Sequence, residues 1–349
     1  MNLKKSEKKL KLMDKIVLLA KQPGITSFTS LYNVKRAFNT TKVGHTGTLD
    51  NFAQGLLVVC TGRLTKLAGN IIEFDKSYKA VLRFGTETDT LDYEGQIIKE
   101  AALPDEQTVR KIVASFVGEQ EQKPPVYSAI HVDGKRASEL VRKGLDVELP
   151  SRKICVYSAD ILEIEENIEG KVQNCLIDFS VSKGTYIRCL ARDIGEACGS
   201  AAHLIGLYRT KIGNFKIEES AGFSMLPPFD IKTCENFAEQ KKLKAQADDK
   251  ILQEEIIKTS RDFDEQTAML CGFKILHLKD NQSEEDFRFG RPLHKSFFTE
   301  RVQISNVQDI FAVFTPQGLF CGLLYCKDFE KQHLGYKMVI QTIDTNSTI

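Results

Sequence analysis

The sequence predicts an α+β protein: a body of mixed strands and helices followed by a small β-rich module. Three observations carry this. Runs with strand periodicity alternate with amphipathic helical stretches up to about residue 225. The break Leu226-Pro227-Pro228 then opens a highly charged segment, residues 232–262, that is helical in period and free of Gly and Pro. Beyond residue 270, short apolar runs recur between turn signals. A chain of 349 residues, 42% hydrophobic and 27% charged, allows about two folded domains and excludes wholesale disorder or a fibrous repeat.

Residues 1–15 form a basic arm in which Lys4, Lys5, Lys8, Lys9, Lys11 and Lys15 repel one another; it is either solubilising or a supplementary phosphate contact. Residues 16–19 read as a buried strand ended by Gln22-Pro23-Gly24, and Thr26 and Ser27 are placed to cap a helix over 28–38. Residues 78–84 alternate as a strand, with a polar loop to another strand at Ile97. Residues 108–116 are amphipathic, 118–127 with Pro124 and Pro125 read as a connector, and 137–143 as a short basic helix. Residues 154–164 and 172–181 flank Asn167-Ile168-Glu169-Gly170 as a hairpin, and 186–197 are helical with Gly199 as the stop. The charged segment 232–262 reads as a helical spacer, and the terminal module as all-β, with strands at 273–278, 302–304, 310–315, 319–326 and 337–340.

A net charge of +1, from 48 basic against 47 acidic residues, advertises no polyanionic partner, so any nucleic-acid site must be local. Nine cysteines without a CxxC pair read as reduced thiols of a cytosolic protein, and six scattered histidines offer no metal-ligand spacing. No apolar run is long enough to span a membrane, and the short Ile16-Val17-Leu18-Leu19-Ala20 run does not make a signal peptide.

Chemistry concentrates in two stretches. Glycines at 44, 47, 55 and 62 bracket polar residues, a pattern that lets backbone approach a ligand closely. Asp50 within it is either a nucleophile or general base, or a cap of the next element. In Ser182-Lys183-Gly184-Thr185-Tyr186-Ile187-Arg188, Arg188 suits a two-pronged grip on a carboxylate or phosphate, and Tyr186 suits stacking on a base.

These stretches occur in order with others: Gly24-Ile25-Thr26-Ser27, Gly44-His45-Thr46-Gly47-Thr48-Leu49-Asp50, Asp75-Lys76-Ser77-Tyr78, Val126-Tyr127-Ser128-Ala129 with Gly134-Lys135, and Ala202-His203-Leu204. Together they resemble the bacterial tRNA pseudouridine-55 synthase family, TruB, along nearly the whole chain. The resemblance implies a largely antiparallel sheet with flanking helices in a catalytic domain over 16–265, with an RNA-clamping insertion at 127–150. It further implies a PUA-like RNA-binding domain over 270–349, the part with Phe289-Gly290-Arg291-Pro292.

The implied reaction detaches a uracil from its ribose at N1, rotates it and rejoins it through C5, with no cofactor and no metal. Asp50 matches the catalytic aspartate, Arg188 the arginine that pairs with it, and Tyr78 the tyrosine that stacks on the target base. Tyr186 and Leu207 match positions lining the uracil pocket, and His45 the histidine that meets displaced bases. Lys21 is retained from the family's first motif, and Lys135, Arg136, Arg142 and Lys143 form a basic cluster in the insertion that reads either as an RNA clamp or as a solvated helix face.

The implied partner is tRNA, held at its T arm and, through the C-terminal module, at its acceptor stem, by a cytoplasmic monomer that uses neither guide RNA nor membrane. A noncatalytic tRNA-binding or tRNA-folding protein is the second reading; a pure binder has no need of the Asp50 carboxylate. The chain departs from the pattern at Gln22-Pro23, at Asn51, where proline is common, and at Gln54, where threonine is common. Losing proline at 51 is expected to loosen the loop.

Overall fold

The computed structural model describes residues 14–128, 131–132, 135–136, 140, 149–240 and 248–340. β1 (Ile16–Lys21) and β3 (Gln54–Thr61) are buried along their whole length. They belong to a nine-stranded sheet with β4 (Lys76–Phe84), β7 (Gly118–Gln122), β10 (Arg152–Glu166), β11 (Val172–Val181) and β12 (Ala202–Ile212). The order is β1-β3-β12-β4-β11-β10-β7, with β2 (Val43–His45) on β3 and β13 (Phe215–Lys216) on β12. The β12–β3 contact is parallel and the other pairings are antiparallel, so the largely antiparallel sheet is present.

Both faces of β1 and β3 are covered. Val17, Leu19, Leu57 and Val59 pack against α1 (Ser27–Phe38) and against α6 (Asp249–Thr259). Ile16, Leu18, Leu56 and Val58 face Leu67 and Ile71, the latter in α2 (Ala68–Ile71), and also Phe273, Phe314 and Leu323 of the C-terminal module. Each buried aliphatic contributes about 1.5–3 kcal/mol, and a one-residue slip would exchange the two faces, which fixes the register. Over the middle strands lie α3 (Glu106–Ser115), α4 (Ile187–Ala197) and α5 (Ile231–Gln240). Thr26 caps α1 by accepting from Thr29 N at 3.0 Å, and Gly199 follows α4 at φ +69°.

Several expectations are corrected. The connector at 118–127 begins with an edge strand: β7 pairs with β10, and its buried Gln122 bonds both backbone groups of Tyr186, before the prolines end it. Glu- and Gln-rich sequence hides a strand that, among the described residues, pairs with β10 alone. The strand expected at Ile97 is present as β6 (Ile97–Glu100), but the polar loop before it opens with β5 (Thr86–Thr88), which pairs with β6 as a short hairpin. The charged segment is no spacer, because α5 and α6 pack on the sheet through Ile231, Cys234, Leu252 and Ile256.

The terminal module is not all-β. Its sheet runs β14 (Lys274–His277), β15 (Ile310–Phe314), β16 (Phe320–Asp328), β17 (His333–Val339), preceded by α7 (Glu265–Leu270). α8 (Asn281–Arg288) lies between β14 and β15, and Asp280 caps it on Ser283 N. Residues 302–304 are not a strand, although Val302 and Ile304 are buried. The Gln332 side chain takes the place of a strand partner, accepting from Ile304 N and donating to Ile304 O.

The basic helix expected at 137–143 falls outside the described residues apart from Leu140. Among the described residues, no helix is long and apolar enough to cross a membrane.

Candidate active site

The loop between β2 and β3 carries Asp50 and is held from beneath. Ser27 at the start of α1 accepts from Leu49 N at 2.8 Å and donates to Leu49 O at 3.0 Å. Lys21, fully buried at the end of β1, donates to Gln22 O, Asn51 O and Ala53 O at 2.9, 3.2 and 2.6 Å. All three of its ammonium hydrogens are directed at backbone, so Lys21 is a support for the loop rather than a group open to substrate. Burial lowers its pKa to about 7, opposed by the charges of Asp50 and Glu94. Asn51, at the position where proline is common, donates to Glu94 Oε1 at 2.9 Å, and Gly24 N donates to its carbonyl. Those bonds restrain the loop that loss of a proline was expected to loosen.

A second support was not legible in the sequence. Arg209 of β12 is 1% exposed, and its guanidinium donates to Leu56 O at 2.8 Å and to Thr48 O and Gly47 O at 3.3 Å. Gly55 passes so close that a Cβ there would lie 2.4 Å from the Arg209 carbonyl oxygen.

Arg188, in the first turn of α4, reaches the loop from the other side. Its Nη2 donates to Asp50 Oδ1 at 3.1 Å, and its Nε lies 3.1 Å from Asp50 Oδ2, an ion-pair contact out of line for a hydrogen bond. The same head group donates to Tyr127 O at 3.0 Å, to Thr90 O at 2.8 Å and to Asp92 Oδ2 at 3.4 Å. Burial works against this charge, yet Asp50 and Asp92 outweigh it and hold Arg188 above its ordinary pKa. The side chain of Arg188 is 6% exposed and that of Asp50 31%, so a fixed cation presents an accessible carboxylate. Sequence reasoning passed over Asp92; its signal was an acidic turn inside a polar loop. Burial pushes the Asp92 carboxyl up to about 6, opposed by the Thr90 hydroxyl and by Arg188.

Tyr78 sits on β4 between Arg209 of β12 and Phe179 of β11, in one apolar cluster with Leu49, Phe52, Ile187 and Leu207. Leu207 is 4% exposed and borders a crevice with Phe52, Tyr93 and Phe229. Tyr186 immediately precedes α4, with the Arg152 guanidinium 4.5 Å from its ring centroid. His45 lies on β2; burial and Arg209 lower its pKa, and its Nδ1 is buried without a hydrogen-bond partner. Lys135 and Arg136 form β9 (Lys135–Arg136), paired with β8 (His131–Val132), whereas Arg142 and Lys143 fall outside the described residues. The structure therefore joins Asp50 directly to Arg188, with Lys21 beneath. Among the described residues, no three His, Cys, Asp or Glu side chains gather to hold a metal ion.

An annotated relative from Treponema denticola, tRNA pseudouridine synthase B, is 38% identical over 332 residues, covering 89% of this chain and 93% of that protein. The chain belongs to the TruB family of pseudouridylate synthases. Residues 35–187 match the model of the TruB family pseudouridylate synthase N-terminal domain. A Bordetella parapertussis tRNA pseudouridine synthase B is 42% identical over 218 residues, 61% of this chain and 87% of that one. In fold, the chain is similar to a protein in the crystal structure of a Cbf5-Nop10-Gar1 complex, with a TM-score of 0.63 and 22% identity over 96% of this chain and 86% of that one. As a TruB family member the protein is an isomerase.

Proposed function

We propose that this protein converts the uridine at position 55, in the T loop of tRNA, to pseudouridine. The observation that carries the reading is the accessible Asp50 carboxylate held by the buried Arg188 guanidinium, next in the chain to Leu49 of the apolar cluster that also holds Tyr78. The reaction breaks the bond from C1′ to N1 and makes one from C1′ to C5, with the C5 hydrogen leaving as a proton and N1 gaining one. Atoms and oxidation state balance, so the chemistry calls for no cofactor. Asp50 either attacks C1′ or takes the 2′ proton; in both cases Arg188 fixes the carboxylate before substrate arrives.

A nucleotide in folded RNA must leave its stack to be processed, at a cost of a few kcal/mol. Tyr78 is assigned to stack on the extruded base, Tyr186 and Leu207 to line the uracil pocket, and His45 to meet the bases left behind. The C-terminal module, residues 270–349, would take the acceptor stem. A groove of about 440 Å³ there is lined by Arg291, His294, Lys295, Lys327 and His333 beside Tyr325 and Tyr336, which suits a phosphate backbone. Lys135, Arg136, Arg142 and Lys143 are assigned to clamp the RNA. The protein would work in the cytoplasm without guide RNA, and as a monomer, because aspartate and arginine come from one chain.

The test is incubation with unmodified tRNA, without added cofactor, followed by carbodiimide labelling and primer extension. Wild type should give a single stop in the T loop; Asp50→Asn should give none while binding tRNA within about threefold of wild type. Turnover by Asp50→Asn would overturn the assignment of the carboxylate. Tight binding by wild type without any stop would make the noncatalytic tRNA binder the correct reading.

A further inference from the structure

α1 has one flank that neither the core nor the site described above uses. Phe28 and Tyr32, one helical turn apart, are 70% and 49% exposed. Lys35 Nζ lies 4.6 Å from the Phe28 ring centroid, and the Arg36 guanidinium lies 5.1 Å from that of Tyr32, with Arg36 Nε donating to the Tyr32 hydroxyl at 2.9 Å. Single exposed apolar residues are ordinary. Two rings in line, each with its own cation, make a continuous strip.

The flank also carries a consistent charge. The helix has no acidic residue between Ser27 and Phe38. Asp249 of α6 meets the helix at Asn33, accepting from its side-chain amide at 2.8 Å. The strip begins beside the chemistry, because Phe28 follows Ser27, whose hydroxyl holds Leu49 next to Asp50.

We infer that the Phe28–Tyr32–Lys35–Arg36 flank of α1 is a second RNA-contact strip, which grips the substrate strand next to the target uridine but outside the catalytic cleft. The inference rests on the proposed RNA substrate. Each ring keeps exposed area on which a base can stack and has a cation beside it that can meet a phosphate. Net charge of +1 leaves RNA affinity to such local groups.

The experiment compares Phe28→Ala/Tyr32→Ala, Lys35→Ala/Arg36→Ala and, as a control on α3, Lys111→Ala. Binding of unmodified tRNA is measured in an Asp50→Asn background as a function of salt, and kcat and KM in the otherwise wild-type protein. The aromatic pair should weaken binding about tenfold and raise KM with kcat held. The basic pair should lower the slope of log Kd against log salt by about 1 to 2, and the control should change nothing. If both double variants bind within twofold of the parent with the same salt slope, the strip is not an RNA contact, and an unaltered kcat/KM would say the same. If wild type binds tRNA but forms no pseudouridine, the proposed reaction fails, while the strip is still decided by the binding constants.

Discussion

Replacing Arg188 with lysine keeps one positive charge and discards the fork. The guanidinium makes five contacts: two to Asp50, and one each to Tyr127 O, Thr90 O and Asp92. A lysine ammonium has three donors on a single atom and cannot span both carboxylates and both carbonyls. Losing the charge-assisted bond to Asp50 removes about 1.5–3 kcal/mol of positioning, equivalent to about 10- to 150-fold in kcat. KM should stay within about threefold, because the group lies behind the carboxylate and not on the substrate side. RNA labelled with tritium at uracil C5 releases the label as the base rejoins through that carbon, which gives kcat and KM for each variant. A kcat within threefold of wild type for Arg188→Lys would refute the argument, since one point charge would then suffice. Arg188→Met, which leaves Asp92 buried without its cation, should be lower still.

Asp92 has a folded pKa of about 6 against 3.8 when exposed, so between these values the folded chain holds a proton that the unfolded chain has released. Stability therefore falls as pH rises through this window, by about 3 kcal/mol in all; the Tm of Asp92→Asn minus that of wild type should grow from pH 4 to pH 7 in thermal melts. Lys21 has the opposite slope: its folded pKa of about 7 lies below the ordinary 10.5, so the unfolded chain binds the extra proton and stability rises with pH between them. Lys21→Met should lose that rise in melts from pH 7 to 10, and should slow turnover because three carbonyls around the loop lose their donor. Gly55→Ala forces a Cβ onto the Arg209 backbone at a φ of +123° and should cost about 3 kcal/mol or more, lowering Tm by about 5 °C.

What could be read in advance was local. The hairpin β10–β11 announces itself through two strand-like runs around Asn167 to Gly170, and α4 through its periodicity and Gly199. Asp50 and Arg188 stand beside glycines, which mark where backbone must turn or come close. The supports of the site were hidden because they act across the chain: Arg188 meets Asp92 96 residues away, and Arg209 meets Gly47 across 162. No local pattern distinguishes Arg209 from a solvated arginine on a strand. The same holds for Gln332, whose amide stands in for a strand partner of Ile304 from 28 residues away. Lys21 could be named from its motif, but its burial depends on carbonyls delivered by the loop after Asp50.

The distribution of charge around that loop explains how a near-neutral chain can pair catalysis with a polyanionic substrate. Asp50, Arg188, Asp92 and Lys21 sum formally to zero, so the Asp50 carboxylate adds no net negative field to repel phosphate. Arg188 sits at 6% side-chain exposure, where its attraction for Asp50 is weakly screened, and this fixes the carboxylate without occupying the solvent side. Electrostatic preorganisation and RNA attraction are thus separate tasks. Buried cations serve the first, and only cations that remain exposed, such as Lys35 and Arg36 on α1 and Lys295 and Lys327 in the C-terminal groove, are available for the second. Changing a buried cation should therefore act on kcat with little salt dependence, and changing an exposed one on affinity in a salt-dependent way.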